Sequence, residues 1–211
     1  MYHALIPVKA LSEVKSRLAP HLTLYQREEL VLTMLNHVIQ TLLACHALER
    51  VSVVSPDQRV LDYAHMWGAH AFLEEKQGHN PALQAAAKRE IALGTTALLT
   101  ISADLPLLQQ SDTERMLLAS QHYEVVLAPS QEGTGTNAVL MRPPLALPYV
   151  FGPNSLQHYQ EEAERRELLT TQVKRPGLSL DVDTLKDLEL FRRYEEEEQT
   201  AAHIVDAAYL L

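Results

Sequence analysis

The sequence predicts an α/β fold, a doubly wound and mostly parallel sheet flanked by helices. Three observations carry that expectation. Short apolar runs alternate with longer stretches of helical periodicity, the pattern of repeated βα units. Cap and proline signals punctuate the alternation at most helix starts. A chain of 211 residues, 46% hydrophobic and 21% charged, is long enough for one such domain with a sizeable core, and two would be cramped.

Residues 3–8 read as the first strand, followed by a loop over residues 9–20. Thr23 and Gln26 have capping-box spacing. The helix they open places Leu30, Met34, Val38 and Leu42 beside Val31, Leu35, Ile39 and Leu43 in one apolar stripe, which reads as core. Residues 51–54 form the second strand. Ser55-Pro56-Asp57-Gln58 then opens a helix with Ser55 as cap and Gln58 as its reciprocal partner, ending at Gly68. Residues 71–73 are a short strand, and Asn80-Pro81 repeats the cap-then-proline signal for a helix ending near Gly94. The run Ala97-Leu98-Leu99-Thr100-Ile101 reads as a buried strand. Ser111 with Glu114 caps the next helix, residues 125–128 are a strand, and the loop 130–137 leads to a strand over 138–141. A helix near 156–166 and a last one opened by Thr184, with Asp187 as box partner, complete a domain of residues 1–194. Residues 195–211 read as an acidic break and a peripheral C-terminal segment.

Charge and composition narrow the function. A net charge of −9 argues against a nucleic-acid duplex or an anionic membrane as partner. Cys45 is the single cysteine, so neither a disulfide framework nor a cysteine metal cluster is available, and a reducing cytoplasm fits. The opening Met1 to Ile6 is cut short by Pro7 and Lys9 and does not read as a signal peptide. No apolar run approaches membrane-spanning length. Within this acidic chain, residues 1–27 hold Lys9, Lys15, Arg17 and Arg27 against Glu13 alone. That basic island is a candidate anion site. Arg27, beside Glu28 and Glu29 in a helical pattern, reads as an ordinary surface charge.

Two acidic turns carry the chemistry. Asp104 follows the apolar strand and would sit at the sheet edge where open α/β sheets bind ligands. Asp181 and Asp183 close a second short apolar segment, where strand geometry would point both carboxylates to one side. Three converging carboxylates suit Mg²⁺, a hard cation that takes oxygen ligands and shares them with substrate phosphates. Lys9, Lys15 and Arg17 lie in the loop after the first strand, the position that cradles phosphates in nucleotide-binding folds. Neither G-x-G-x-x-G nor G-x-x-x-x-G-K-[ST] occurs, which disfavours dinucleotide oxidoreductases and P-loop NTPases. Gly133 to Asn137 offers free backbone amides for an anion, or equally a plain hairpin connection. Phe151-Gly152-Pro153-Asn154-Ser155 leads into a helix whose start favours an anion, with Ser155 equally readable as its cap. His158, one turn on, is not assigned to catalysis.

Taken in order, Pro7-Val8-Lys9, Lys15-Ser16-Arg17-Leu18, Asn80 before Ala82-Leu83, Ala103-Asp104-Leu105-Pro106-Leu107, Gly135-Thr136-Asn137, Phe151-Gly152 with Ser155 and His158, and Asp181-x-Asp183-Thr-x-x-Asp187-Leu188 resemble a known family. It is the 2-phospho-L-lactate guanylyltransferase family of coenzyme F420 biosynthesis, phosphoenolpyruvate guanylyltransferase in its bacterial form. The resemblance spans residues 7–190. Thr134, Ser102 and Leu185 depart from the family's usual glycine, proline and proline, and none of them is a proposed ligand. It implies a glycosyltransferase-A-like, Rossmann-like nucleotidyltransferase domain and transfer of GMP from GTP to a small phosphorylated carboxylate. It further implies Mg²⁺ on Asp104, Asp181 and Asp183, catalytic roles for Lys9, Lys15, Arg17 and Asp104, acceptor contacts from Thr136, Gly152 and Ser155, and a nucleoside contact from Asn80. Phosphoenolpyruvate is the preferred acceptor, with 2-phospho-L-lactate and 3-phosphoglycerate as the others. A homodimer and hand-off of the product to the next F420 biosynthetic enzyme are arrangements the sequence leaves open. Two alternatives stand beside this reading: a nucleotidyltransferase with a molybdopterin or sugar-phosphate acceptor, and a non-catalytic nucleotide-binding domain.

Overall fold

The computed structural model describes residues 1–194 and 196. Among these, strands β1 (Tyr2–Pro7), β2 (Leu48–Ser55), β3 (His70–Leu73), β4 (Ala97–Ile101), β5 (Val125–Pro129), β6 (Thr136–Met141) and β7 (Thr170–Gln172) form one sheet in the order β3-β2-β1-β4-β6-β5-β7. It is mixed and mostly parallel, as expected: β6 runs antiparallel to both β4 and β5, and the other pairs are parallel. Helices α1 (Leu24–Ala44), α2 (Gln58–Met66), α3 (His79–Ala92), α4 (Gln110–Ala119), α5 (Ser155–Arg165) and α6 (Pro176–Ser179) flank it, and residues 185–194 are helical.

Alternation along the strands divides the core. Ala4, Ile6, Leu99 and Ile101 face one side and pack with Val31, Leu35, Val38 and Ile39 of α1 and Met116 of α4. Leu5, Leu98, Leu127 and Val139 face the other, against Leu83 and Ala87 of α3 and Tyr159 of α5. Both sheet faces are covered, which is why the central strands read as unbroken apolar runs. The capping box of α1 forms as predicted, with Gln26 N–H donating to Thr23 Oγ1 at 3.3 Å and Thr23 N–H to Gln26 Oε1 at 2.9 Å. Leu43, assigned to the apolar stripe, is exposed at the helix end.

Several helix starts differ from expectation. Ser55 pairs with Leu73 as the last residue of β2, so Asp57 caps α2 instead, accepting from Arg59 N–H at 3.0 Å. Helix α3 begins at His79 after Gly78, whose φ of +99° suits glycine, and Asn80 lies inside its first turn and is not its cap. Helix α4 is bracketed by Gln109 and Asp112, with Gln109 N–H donating to the Asp112 carboxylate at 3.1 Å, in place of Ser111 and Glu114. β6 starts at Thr136, and β7 and α6 were not anticipated. At three and four residues they are too short to show a period. Residues 180–183 are not a strand, so period-2 geometry is not what presents Asp181 and Asp183. The acidic break and terminal segment expected over 195–211 lie outside the described residues apart from Glu196.

Helix α6 sets the path of the second acidic turn. Arg175 donates to Asp112 at 2.9 Å. Gly177 packs so closely that a Cβ there would stand 2.1 Å from Asp112 Oδ2 and 2.5 Å from Leu107 O. Gly177→Ala is therefore expected to destabilise by about 1–3 kcal/mol through overpacking. Urea unfolding measures this, and an unchanged midpoint would mean that the α6–α4 contact is slack.

Candidate active site

β1 and β4 are parallel neighbours, so the loops leaving their C-terminal ends face each other across a cleft of about 390 Å³. Lys9, Glu13, Lys15, Arg17, His79, Ser102, Asp104 and Asp183 line it. The first loop winds through two short 3₁₀ turns, Leu11–Glu13 and Ser16–Leu18, and buries Leu11, Val14 and Leu18. Leu11 N–H donates to Asp57 at 3.0 Å, and the Arg27 guanidinium donates to Val14 O at 2.7 Å. Arg27 is thus half-buried and braces the cationic loop, which corrects its reading as a plain surface charge.

Between the two turns Lys15 adopts φ +48°, ψ +44°. Its side chain, only 7% exposed, donates to Asp104 and, at 2.8 Å, to Asp183 Oδ1. Burial alone would lower the Lys15 pKa, but the charges of Asp104 and Asp183 outweigh it and hold the pKa above its ordinary value. Arg17 is 73% exposed and stands 3.7 Å from Asp183 Oδ2, while Lys9 lies open on the cleft wall. Burial opposes the ionisation of Asp183, yet Lys15 first, then Arg17 and Lys9, hold its carboxyl below the usual range.

Backbone hydrogen bonds join the two acidic turns. Val182 N–H donates to Asp104 O at 3.2 Å, and Ser102 N–H donates to Asn137 O at 2.8 Å. The Asn137 amide donates to Leu178 O, Ser179 O and, at 3.0 Å, Asp181 Oδ1. Asp187 accepts from Thr184 N–H at 2.7 Å and from Asp183 N–H at 3.1 Å, the expected capping box of the last helix. Asp181 is pushed above the usual carboxylate range, first by burial and then by the negative charge of Asp104. Among the described residues no three carboxylate, imidazole or thiol groups are placed to hold a metal by themselves. The donors still fit Mg²⁺: all three are hard oxygens, Asp181 retains anionic repulsion that Lys15 leaves uncancelled, and the ion commonly completes its shell from phosphate.

Thr136, Gly152 and Ser155, the expected acceptor contacts, lie at the start of β6 and around the start of α5 and do not line this cleft. In the Ser130 to Gly135 connection the amides are not free as expected: Gly133 N–H donates to Ser130 O and Gly135 N–H to Ser130 Oγ. Thr136 is 6% exposed, and its buried Oγ1 has no partner. Leu156 N–H donates to Thr134 O at 3.2 Å, which ties this loop to the start of α5, where Ser155 is buried and Gly152 is exposed with φ +135° and open space around it. Asn154, in the left-handed region, precedes the helix as its N-cap position. His158 is exposed. Asn80, assigned to the nucleoside, uses both ends of its amide on Phe151, donating to its carbonyl and accepting from its N–H, each at 3.0 Å.

Three residues take roles here that the sequence reading did not give them. Asn137 organises Asp181, Arg27 braces the loop, and His79 lines the cleft edge-on to Phe151 at 5.6 Å. The legible signal was an asparagine opening an otherwise apolar strand.

The family described as "Guanylyl transferase CofC like" matches residues 2–203. The chain belongs to that family. It is 37% identical over 88% of its length to a phosphoenolpyruvate guanylyltransferase of Sphaerobacter thermophilus and 40% identical over 88% to one of Rubrobacter xylanophilus, covering 90% of each. A 3-phospho-D-glycerate guanylyltransferase of Colwellia psychrerythraea is 32% identical, with 88% of both chains covered. A nucleotidyl transferase structure from Methanothermobacter superposes with a TM-score of 0.67 at 15% identity, covering 92% of this chain and 97% of that one, and supports the nucleotidyltransferase fold. The protein is a nucleotidyltransferase of the family named from its sequence.

Lys15→Ala strands two like charges. The expected loss is roughly 1–3 kcal/mol, below that of a fully buried pair because the Asp183 side chain is 44% exposed. Adding Asp183→Asn should recover part of it, and strict additivity in this double-mutant cycle by urea unfolding would count against the ion triad.

Proposed function

We propose that the protein transfers GMP from GTP to a small phosphorylated carboxylate with release of pyrophosphate, in coenzyme F420 biosynthesis. Phosphoenolpyruvate is the first-choice acceptor, followed by 2-phospho-L-lactate. The observation that carries the reading is the cleft itself, where Lys9, Lys15 and Arg17 meet Asp104 and Asp183 at the sheet's C-terminal edge. Two relatives named for phosphoenolpyruvate support the acceptor, and one named for 3-phospho-D-glycerate makes that compound a third arm of the assay. We assign the activity to residues 1–194 as one catalytic unit and the reaction to the cytoplasm. The latter accords with the single buried Cys45 and with the absence, among the described residues, of a helix long and apolar enough to cross a membrane.

An acceptor phosphate oxygen, already ionised at neutral pH, attacks the α-phosphorus of GTP as the α–β phosphoanhydride bond breaks. No side chain has to become a nucleophile. The protein's contribution is alignment and charge neutralisation. Lys9 and Arg17, both exposed on the cleft wall, neutralise the triphosphate and the leaving pyrophosphate, while Lys15 holds the carboxylates in register. Asp104, Asp181 and Asp183 are the residues that would hold Mg²⁺, which when bound supplies charge neutralisation to the phosphates. Thr136, Gly152 and Ser155 bind the acceptor, with the unpartnered Thr136 hydroxyl as donor. Asn80 acts by fixing Phe151, and so reaches the substrates through the loop it holds.

The deciding assay is Mg²⁺-dependent pyrophosphate release from GTP with each acceptor in turn. Asp104→Asn and Asp183→Asn should each lower turnover by roughly 10²-fold or more while the protein stays folded. Near-wild-type rates in both variants would remove the metal site.

Thr136→Val deletes a hydroxyl that has no partner among the described residues, so thermal stability should hold or rise slightly. Acceptor KM should increase about 10-fold with GTP affinity unchanged. Loss of GTP binding instead would assign this strand to the nucleotide.

A further inference from the structure

A second cavity of about 390 Å³ opens beyond the phosphate cleft and shares Lys9, Glu13 and His79 with it. It lies at the C-terminal ends of β1, β2 and β3. Val54, Pro56 and Ala82 give it apolar walls, and Glu74, Gln77 and Gly78 form its far side. A triphosphate held at Lys9, which lines both spaces, has room to extend its nucleoside into this one. The cavity offers flat apolar surface for a purine and, at its far end, one half-buried carboxylate.

We propose that Glu74 reads the base of the bound nucleotide, accepting from guanine N1–H and from the exocyclic N2 amine. The inference rests on the GTP-dependent reading above and assigns it a specificity-determining residue. Glu74 follows β3, and its N–H donates to Ser55 O at 3.0 Å, which prolongs the β2–β3 pairing and fixes where its side chain starts. Glu74 lines the cavity together with Gln77 and Gly78 of the turn that follows it, and burial raises its carboxyl above the usual value. The group is therefore both steered and partly desolvated. Glu13, the other carboxylate of the cavity, is exposed on the first 3₁₀ turn and also lines the phosphate cleft, too near the triphosphate for the base edge. Guanine presents two adjacent donors, N1–H and N2–H, which match the two oxygens of a carboxylate. Adenine presents an N1 lone pair in that place and repels it. A partly buried acceptor left unpaired or opposed is a strong basis for rejecting the wrong base.

The chemistry prescribes its own test. Glutamine retains one acceptor for N1–H but replaces the other with an N–H donor, which opposes the guanine N2 amine and pairs with the O2 carbonyl of xanthine. Kd values for GTP, ITP and XTP are measured by calorimetry in Mg²⁺ with wild type, Glu74→Gln and Glu75→Gln, the last a neighbour that pairs with Arg89. Wild type should prefer GTP over ITP and XTP. Glu74→Gln should bind GTP about 10- to 100-fold more weakly and XTP more tightly by a similar factor, with Glu75→Gln unchanged. A Glu74→Gln protein that keeps the wild-type preference for GTP over XTP overturns the assignment. Because the readout is binding, it separates from the acceptor question: tight GTP binding with no transfer to any acceptor defeats the reaction and leaves the base contact standing. A wild type that binds neither GTP nor XTP defeats both.

Discussion

A buried ammonium needs compensating negative charge, and the Lys15 side chain finds it by drawing together one carboxylate from the middle of the chain and one from its C-terminal part. Lys15 lies on the loop after β1, Asp104 after β4 and Asp183 before the last helix, so one cation fixes three segments at the C-terminal edge of the sheet. That position has a backbone cost. Lys15 is a non-glycine residue in the left-handed region, which is worth on the order of 1–3 kcal/mol of strain. Arg27 on Val14 and Asp57 on Leu11 are the contacts that hold the loop in that conformation. The charges of the site are balanced only when all three segments are present, which ties the chemistry of the cleft to the completeness of the fold.

The two sides of the site are satisfied to different degrees. On the acidic side most polar groups have a protein partner, with the Asn137 amide donating to two carbonyl oxygens and one carboxylate oxygen and Asp187 closing the final turn. On the side of β6 the Gly133 and Gly135 amides are also spent internally, but among the described residues the buried Thr136 hydroxyl has no partner, and the space around Gly152 is open. A cluster of carboxylates whose groups are mostly paired thus adjoins, through Asn137, a strand start that keeps an unused buried hydroxyl.

Much of this was legible in the sequence, for reasons that also explain what was not. Asp104 could be placed because a strand that is apolar apart from Thr100 ends three positions before it, and the cationic loop because it directly follows β1. The mostly parallel sheet followed from alternation, while the reversal of β6 leaves no mark in the local pattern. Asp181 and Asp183 were chosen correctly as neighbours of Asp104, but from a strand that does not exist: α6 and a short irregular segment carry them, held by tertiary hydrogen bonds that leave no local pattern. The cap assignments at Ser55 and Asn80 failed for one reason. Each side chain has a tertiary context, a sheet partner for Ser55 and Phe151 for Asn80, that overrides a favourable local propensity. Arg27 was misjudged because its burial depends on how the loop before it folds back.

The ion pair of Lys15 with Asp183 spans 168 positions of the chain. Closing so long a loop is an entropic cost that grows slowly with length but cannot be met until the distal residue exists. During synthesis from the N-terminus, strands β1 to β6 can be complete while the second acidic turn is still inside the ribosome. Lys15 would spend that interval paired with Asp104 and still without Asp183, and the cleft acquires its full set of charges only with the last tenth or so of the described fold.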